Sequence, residues 1–451
     1  AFSPKNIIEE IQDQYLAEDN NRPWIIAFSA GKDSTTLLQL VWHAVKEINA
    51  ENRSISRDIY VICNNTLVEN PKVLEYQEEQ LELIEKAAME QSMPIYVDQT
   101  TPKLEDSFWV NLIGKGYPAP NNVFRWCTER LKIRPTTHYI QDKVSQFGEV
   151  ILLLGTRSEE SSNRARSMKK YEVKGSRLRR HTLPNAYVYA PIKDAVTKDI
   201  WQYLLQVKSP WGGNNRKLVA MYKNASNDED CPLVTDITMP SCGNSRFGCW
   251  VCTVVNRDKS MEALIDHGED WMEPLIELRD FLAHTINRDD PEYDPYKYRM
   301  SIRRNRQSGL GPYKPKYRRY VLEEVLKAQK KIQQEEGREA ELISHQELIA
   351  IQVTWHRDFI FEYNVAEIYN EIFGRKLNLD QYNENLKKEK ELLMESCGDK
   401  DNFTLINNLL KAQRNKTLLV KKQGLQNDLE NVLEEHLYPT LTHEYKKDNT
   451  K

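Results

Sequence analysis

Apolar positions along this chain fall into two kinds of run. Short unbroken stretches recur through the first half, at residues 24–29 (WIIAFS), 58–63 (DIYVIC), 93–98 (MPIYVD), 150–155 (VILLLG) and 186–192 (AYVYAPI). Each has strand length and polar or turn-forming borders, which predicts buried strands. Between them, apolar residues recur every three or four positions: Leu37, Leu38, Val41 and Val45 share one face of a predicted helix over 34–49. Further helices are predicted over about 71–92 and 134–146. Strands alternating with helices imply an α/β fold with a doubly wound, mostly parallel sheet, whose ligands bind beyond the carboxyl ends of the strands. From about residue 257 the pattern turns to helices and charged connections, with no convincing strand. The expected organisation is therefore 1–215, a cysteine-rich segment 216–256, and a helical region 257–451.

Composition narrows the class. With 451 residues and 40% hydrophobic content, the chain supplies cores for two or three domains. Its formal net charge of -4 gives no global attraction to a polyanion, so any basic surface must come from local clustering. No run of about 18 apolar residues and no basic leader are present, and the expectation is a soluble, unexported, cytoplasmic protein with no membrane partner. Seven cysteines, an odd number, argue against a secreted disulfide framework and leave metal or redox chemistry open.

The first predicted strand runs into Ser29-Ala30-Gly31-Lys32-Asp33-Ser34. A strand feeding a tight turn and then a helix points free N–H groups and the positive helix end at an anion. Lys32 adds charge, and Ser29 and Ser34 add hydroxyls. The G-x-x-x-x-G-K-S/T spacing of a Walker loop is absent. A βα turn with Asp33 as helix N-cap is the bland alternative.

Cys242, Cys249 and Cys252 stand as C-x6-C-x2-C between glycines. With Cys127 from the earlier RWCT segment they form a candidate set of four thiolates. No histidine lies in the cysteine-rich segment, so the choice is an all-thiolate zinc or a 4Fe-4S cluster. Ligand softness and irregular spacing favour the cluster over zinc. Cys63 and Cys397 read as unligated, and Cys231 as a spare. Residues 296–320 carry nine Lys and Arg and no acid, interleaved with Tyr298, Tyr313, Tyr317 and Tyr320. That pattern suits a polyanionic backbone, with a solvated linker as the alternative.

The S-x-G-x-D-S turn resembles the PP-loop of ATP pyrophosphatases, whose second residue is usually glycine where this chain has Ala30. RWCTERLKIRP (125–135), GTRSEESSNR (155–164) and PIKDAVTKDIWQYL (191–204) resemble the branch related to phosphoadenylylsulfate reductases, over roughly the first 210 residues. Together with the cysteines and the helical tail, the layout is similar to the sulfurtransferase-like DndC family of bacterial DNA phosphorothioation. The resemblance implies ATP with Mg2+, bound through Ser29, Ala30, Gly31, Lys32, Asp33 and Ser34, with Gly155, Arg157 and Glu160. The loop would hold the leaving pyrophosphate, Asp33 the metal-nucleotide, and Arg157 and Arg164 the charge near the α-phosphate. Glu160 would orient an arginine. The resemblance further implies a DNA backbone phosphate as acceptor, adenylated and then displaced by sulfur. A cysteine desulfurase and DndD- and DndE-like proteins would be its partners. Rivals are a sulfonucleotide reductase, a tRNA-thiolating enzyme, and a non-catalytic DNA-binding subunit. No Cys-Gly-Leu-His ending is present for the reductase.

Overall fold

The computed structural model describes residues 2–17, 22–51, 57–160, 176–224, 248–288, 290–301, 310–335, 337, 339–374, 388, 391–417, 429, 432, 433 and 436. The chain divides into two compact units: Ala1–Pro102 with Ala119–Arg288, and Lys103–Pro118 with Asp289–Lys451.

The first unit opens with helix α1 (Pro4–Tyr15), where the Ser3 hydroxyl accepts the Asn6 N–H and proline occupies the first turn. Then come β1 (Trp24–Ala27), α2 (Lys32–Ala50), β2 (Ile59–Asn64), α3 (Pro71–Glu90), β3 (Ile95–Thr100), α4 (Arg134–Phe147), β4 (Val150–Leu153), β5 (Arg179–Arg180) and β6 (Ala186–Tyr189). The sheet order is β3-β2-β1-β4-β6-β5. All pairings are parallel except β5 with β6. This is the α/β, mostly parallel architecture that the alternating runs predicted.

Strand periodicity explains why both faces are covered. Trp24 and Ile26 enter a core with Leu37, Leu38, Val41 and Trp42 of α2, while Ile25 enters the opposite core with Ile140 of α4, Val150 and Val188. Each such fully buried apolar side chain contributes about 1.5–3 kcal/mol. Losing water on both faces is what makes β1 an unbroken apolar run.

The second unit is helical around Pro315–Glu335, His345–Arg357 and Val365–Phe373. Residues 103–118 belong to it and bring a π-helical turn, Val110–Gly114. The Trp109 indole N–H donates to Leu342 O at 2.7 Å, and that of Trp355 to Ile113 O at 2.9 Å. Arg318 donates to the carbonyls of Gly114 and Tyr313 at 2.9 and 2.8 Å. Two short antiparallel strands, Arg299–Ser301 and Leu310–Tyr313, correct the expectation of no strand beyond 257. At three and four residues, with proline and glycine in the second, they are too short to show a period of two. Among the described residues no helix is long and apolar enough to cross a membrane.

Candidate functional site

Reading across the sheet, strand order reverses between β1 and β4, which is where a doubly wound sheet opens a crevice at its carboxyl edge. The segments following these two strands are Ser29–Gly31 and Gly155–Arg157. They meet backbone to backbone: a Cβ on Gly155 would lie 2.9 Å from the Asp33 carbonyl oxygen and 3.2 Å from the Ser34 nitrogen. Glycine is required there because no side chain fits between the segments.

Ser34 closes the turn on itself. Its hydroxyl donates to Gly31 O at 3.1 Å, lies 3.2 Å from Ser29 Oγ, and accepts the Ser29 N–H at 3.2 Å. From α3, the Gln77 amide donates to Ser29 O at 3.0 Å. Between these anchors Ala30 adopts φ 57°, in the left-handed region, and is buried. The methyl that departs from the usual glycine therefore sits where glycine is favoured, at a cost on the order of 1 kcal/mol. Ala30→Gly is expected to hold the same turn with that strain relieved, partly offset by the greater freedom glycine gains in the unfolded chain. Thermal unfolding should show equal or higher stability; a clear loss would mean that packing of the methyl outweighs the strain.

Asp33 gathers the charges. Its Oδ2 lies 2.9 Å from Lys32 Nζ and its Oδ1 accepts from Arg157 Nε at 2.7 Å. Arg157 is only 2% exposed. Its Nη1 donates to Glu159 Oε2 at 3.1 Å, Ala195 O at 3.3 Å and the Thr197 hydroxyl at 3.2 Å. Glu159 also accepts the Thr197 N–H at 2.9 Å, tying in the helix Thr197–Gln206. Thus Ser29, Ala30, Gly31, Lys32, Asp33, Ser34, Gly155 and Arg157 come together, whereas Arg164 and the Glu160 side chain lie outside the described residues. Sequence reading did not single out Glu159. Its only signal was its place beside Glu160, two positions after the arginine. Thr156, between Gly155 and Arg157, has a buried hydroxyl with no partner among the described residues.

Three of the four singled-out cysteines are described, and Cys242 lies outside. Cys127 immediately precedes the π-helical turn Thr128–Ile133. Cys249 is carried by a bridge to Glu69, braced by the Trp250 N–H on Val68 O at 3.0 Å and the Asn70 N–H on Gly248 O at 3.2 Å. Its sulfur lies 3.4 Å from the Thr66 hydroxyl. Cys252 follows in a turn whose N–H donates to Cys249 O at 3.0 Å.

Burial, and then the Glu69 carboxylate, push the Cys249 thiol up to about 12; Lys132 and the Thr66 hydroxyl oppose this. Burial, and then Cys252, raise Cys127. Cys249, followed by the weaker pull of Glu69, Cys127 and Cys252, raises the Lys132 ammonium against its own desolvation. Burial thus keeps Cys127 and Cys249 as neutral thiols, and a soft metal would have to hold them as thiolates against that cost. Among the described residues, no group of three or more His, Cys, Asp or Glu is arranged to hold a metal ion. Cys127, Cys249, Cys252, Cys63 and Cys397 are all free of disulfides.

In the basic stretch, residues 302–309 lie outside the described residues. The tyrosines pack mainly on one another: Tyr317 lies 5.1 Å from Tyr298 and 4.9 Å from Tyr313 between ring centroids. Tyr313 and Tyr317 are buried, and only Tyr320 is well exposed. Arg299 and Lys314 donate to carbonyls of their own hairpin. Most of the aromatic interleaving therefore serves local packing, since the hairpin brings the rings inward.

Comparison with known proteins bears on this geometry. Residues 23–255, just over half of the chain, match the family model described as the phosphoadenosine phosphosulfate reductase domain. An uncharacterized protein of Methanocaldococcus jannaschii, MJ0066, is 28% identical over 208 residues, which are 46% of this chain and 36% of that protein. The chain thus spans about a third of the length of that curated relative. Among solved structures, a phosphoadenylyl-sulfate reductase from Candida auris in a phosphate complex has a TM-score of 0.29 at 12% identity, covering 48% of this chain and 92% of that one. The U34-tRNA thiolase NcsA from Methanococcus maripaludis, with its 4Fe-4S cluster, has a TM-score of 0.27 at 13% identity, covering 64% and 82%.

Proposed function

Because the chain belongs to the phosphoadenosine phosphosulfate reductase domain family, we propose that it is an AMP-forming ATP pyrophosphatase coupled to sulfur transfer, with a DNA backbone phosphate as acceptor in the manner of DndC. The observation that carries the ATP reading is the loop Ser29–Ser34 at the switch point, packed on Gly155 with no room for a Cβ. The N–H groups at the start of α2 and the Lys32 ammonium would hold the β and γ phosphates, with Mg2+ balancing the triphosphate charge. A DNA phosphate oxygen attacks the α-phosphorus, the bond to the bridging oxygen breaks, and pyrophosphate leaves with the electron pair. Stabilising that leaving charge is the work of the loop. Persulfide sulfur from a cysteine desulfurase then attacks the adenylated phosphorus, AMP leaves with the electron pair, and a thiol reductant cleaves the resulting S–S bond, which leaves sulfur in place of a non-bridging oxygen.

Arg157 contributes by holding Asp33, and through Asp33 the position of Lys32. Cys127, Cys249 and Cys252, with Cys242, are the residues that would hold a 4Fe-4S cluster. Such a cluster would supply a thiolate-bound centre for sulfur chemistry. Cys249 and Cys252 standing in one turn, with the Lys132 ammonium close enough to offset thiolate charge, support that set.

The test is to incubate full-length protein, its sulfur-delivering partners, ATP labelled in the α-phosphate, and duplex DNA. Pyrophosphate release with AMP attached to DNA is expected, and Lys32→Ala should lower release on the order of a hundredfold. AMP attached to tRNA instead of DNA would transfer the reading to RNA thiolation. Pyrophosphate release unchanged in Lys32→Ala would remove the loop from the chemistry.

A further inference from the structure

The helix Asn215–Asn224 carries Tyr222 onto the loop. A Cβ on Gly31 would lie 3.4 Å from the Tyr222 hydroxyl oxygen, and Lys32 Nζ sits 5.7 Å from the Tyr222 ring centroid. Trp201 packs on the same ring edge to face, with centroids 5.0 Å apart, which restrains the ring. The Lys32 backbone N–H, one of the donors without an intrahelical acceptor at the start of α2, lies near enough to the phenol oxygen to oppose its rise. Burial, and then the charge of Asp33, push the phenol up to about 12, so it stays a neutral O–H donor at physiological pH.

This oxygen occupies the neighbourhood in which the loop would receive a phosphate oxygen.

We propose that Tyr222 is a pyrophosphate-contacting residue, whose hydroxyl donates to a phosphate oxygen held by Ser29–Ser34. The inference rests on the reading of the loop as a pyrophosphate site. It adds a donor from outside the loop.

Titration calorimetry of the full chain with inorganic pyrophosphate and Mg2+ tests it, comparing wild type, Lys32→Ala and Tyr222→Phe. Phenylalanine keeps the ring on Trp201 and Lys32, and a melting curve without pyrophosphate checks its folding. The expected result is affinity lowered roughly tenfold or more in Tyr222→Phe, the scale of one charge-assisted hydrogen bond. Wild type and Tyr222→Phe binding equally, with Lys32→Ala impaired, would overturn the role of Tyr222 and leave the loop reading standing. Tighter binding by Tyr222→Phe would overturn it too, because the phenol would then obstruct the site. No binding by wild type would defeat both readings. As a second readout, saturating pyrophosphate should give a tyrosine ultraviolet difference band in wild type that Tyr222→Phe lacks; the same band in both overturns the contact.

Discussion

Arg157→Met is expected to lower the free energy of unfolding by about 3 kcal/mol. Breaking a buried ion pair from one side costs about 3–5 kcal/mol, because the remaining charge is left without its partner. The lower end applies here, since Asp33 keeps Lys32 at 2.9 Å and its side chain retains 19% exposure. The Ala195 carbonyl and the Thr197 hydroxyl lose a donor as well, and Glu159 keeps only the Thr197 contacts. The pairing makes a sharper claim than the single loss does. Asp33→Asn combined with Arg157→Met should cost less than the two single changes added, because neither charge is then stranded. Chemical denaturation of the four proteins measures this directly. Additive losses would mean that Arg157 stabilises the unit through its carbonyl contacts and not through Asp33.

The strands were legible because β1, β2 and β4 are sealed on both faces, which forces continuous apolar runs such as Trp24–Ala27. The loop was legible as a turn between a strand and a helix from the order of apolar run, Ser-Ala-Gly and helical period. Ala30 was legible only as a departure from glycine, since its φ is set by Ser34 and Gln77, and Gln77 is 48 residues from Ser29. The pairing of Asp33 with Arg157 spans 124 residues, and nothing in local pattern announces it. Equally hidden was the allegiance of residues 103–118 to the helical unit. Trp109 and Ile113 meet Leu342 and Trp355 more than 230 positions away, in contacts that a one-dimensional apolar period cannot express. The tyrosines of 296–320 misled in the other direction. A short hairpin buries Tyr313 and the helix Pro315–Glu335 buries Tyr317 beside it, and a composition rich in Tyr and Arg looks the same whether its rings face solvent or each other.

Arg279 was hidden for the same reason and carries the second large effect. It is a lone arginine in the helix Glu273–His284, 1% exposed. Its guanidinium binds the turn that follows the cysteines: Nε donates to Cys252 O at 3.0 Å, Nη1 to Asn256 O at 2.9 Å, and Nη2 to Val255 O. Three carbonyls and the half-exposed Asp280 carboxylate, which accepts from Nη1 at 2.5 Å, thus satisfy one buried cation. Removing the cation leaves all three acceptors short, and at about 1–3 kcal/mol for each buried group left unpaired, partial relaxation still implies a loss of roughly 3–5 kcal/mol for Arg279→Met. The loss should be local before it is global, because Val68, Asn70 and the Thr253 hydroxyl on Pro120 O at 2.6 Å still hold the rest of the segment while its Arg279 side loosens. Reaction of metal-free protein with an aromatic disulfide reads this out. Wild type should expose Cys249 and Cys252 slowly, and Arg279→Met should label both faster at temperatures well below its melting point. Unaltered labelling alongside an unaltered melting curve would mean that the three carbonyls find other donors and that Arg279 does not position the cysteines. Faster labelling at the same melting temperature would locate its whole effect in that turn, making it a positioning residue for Cys252.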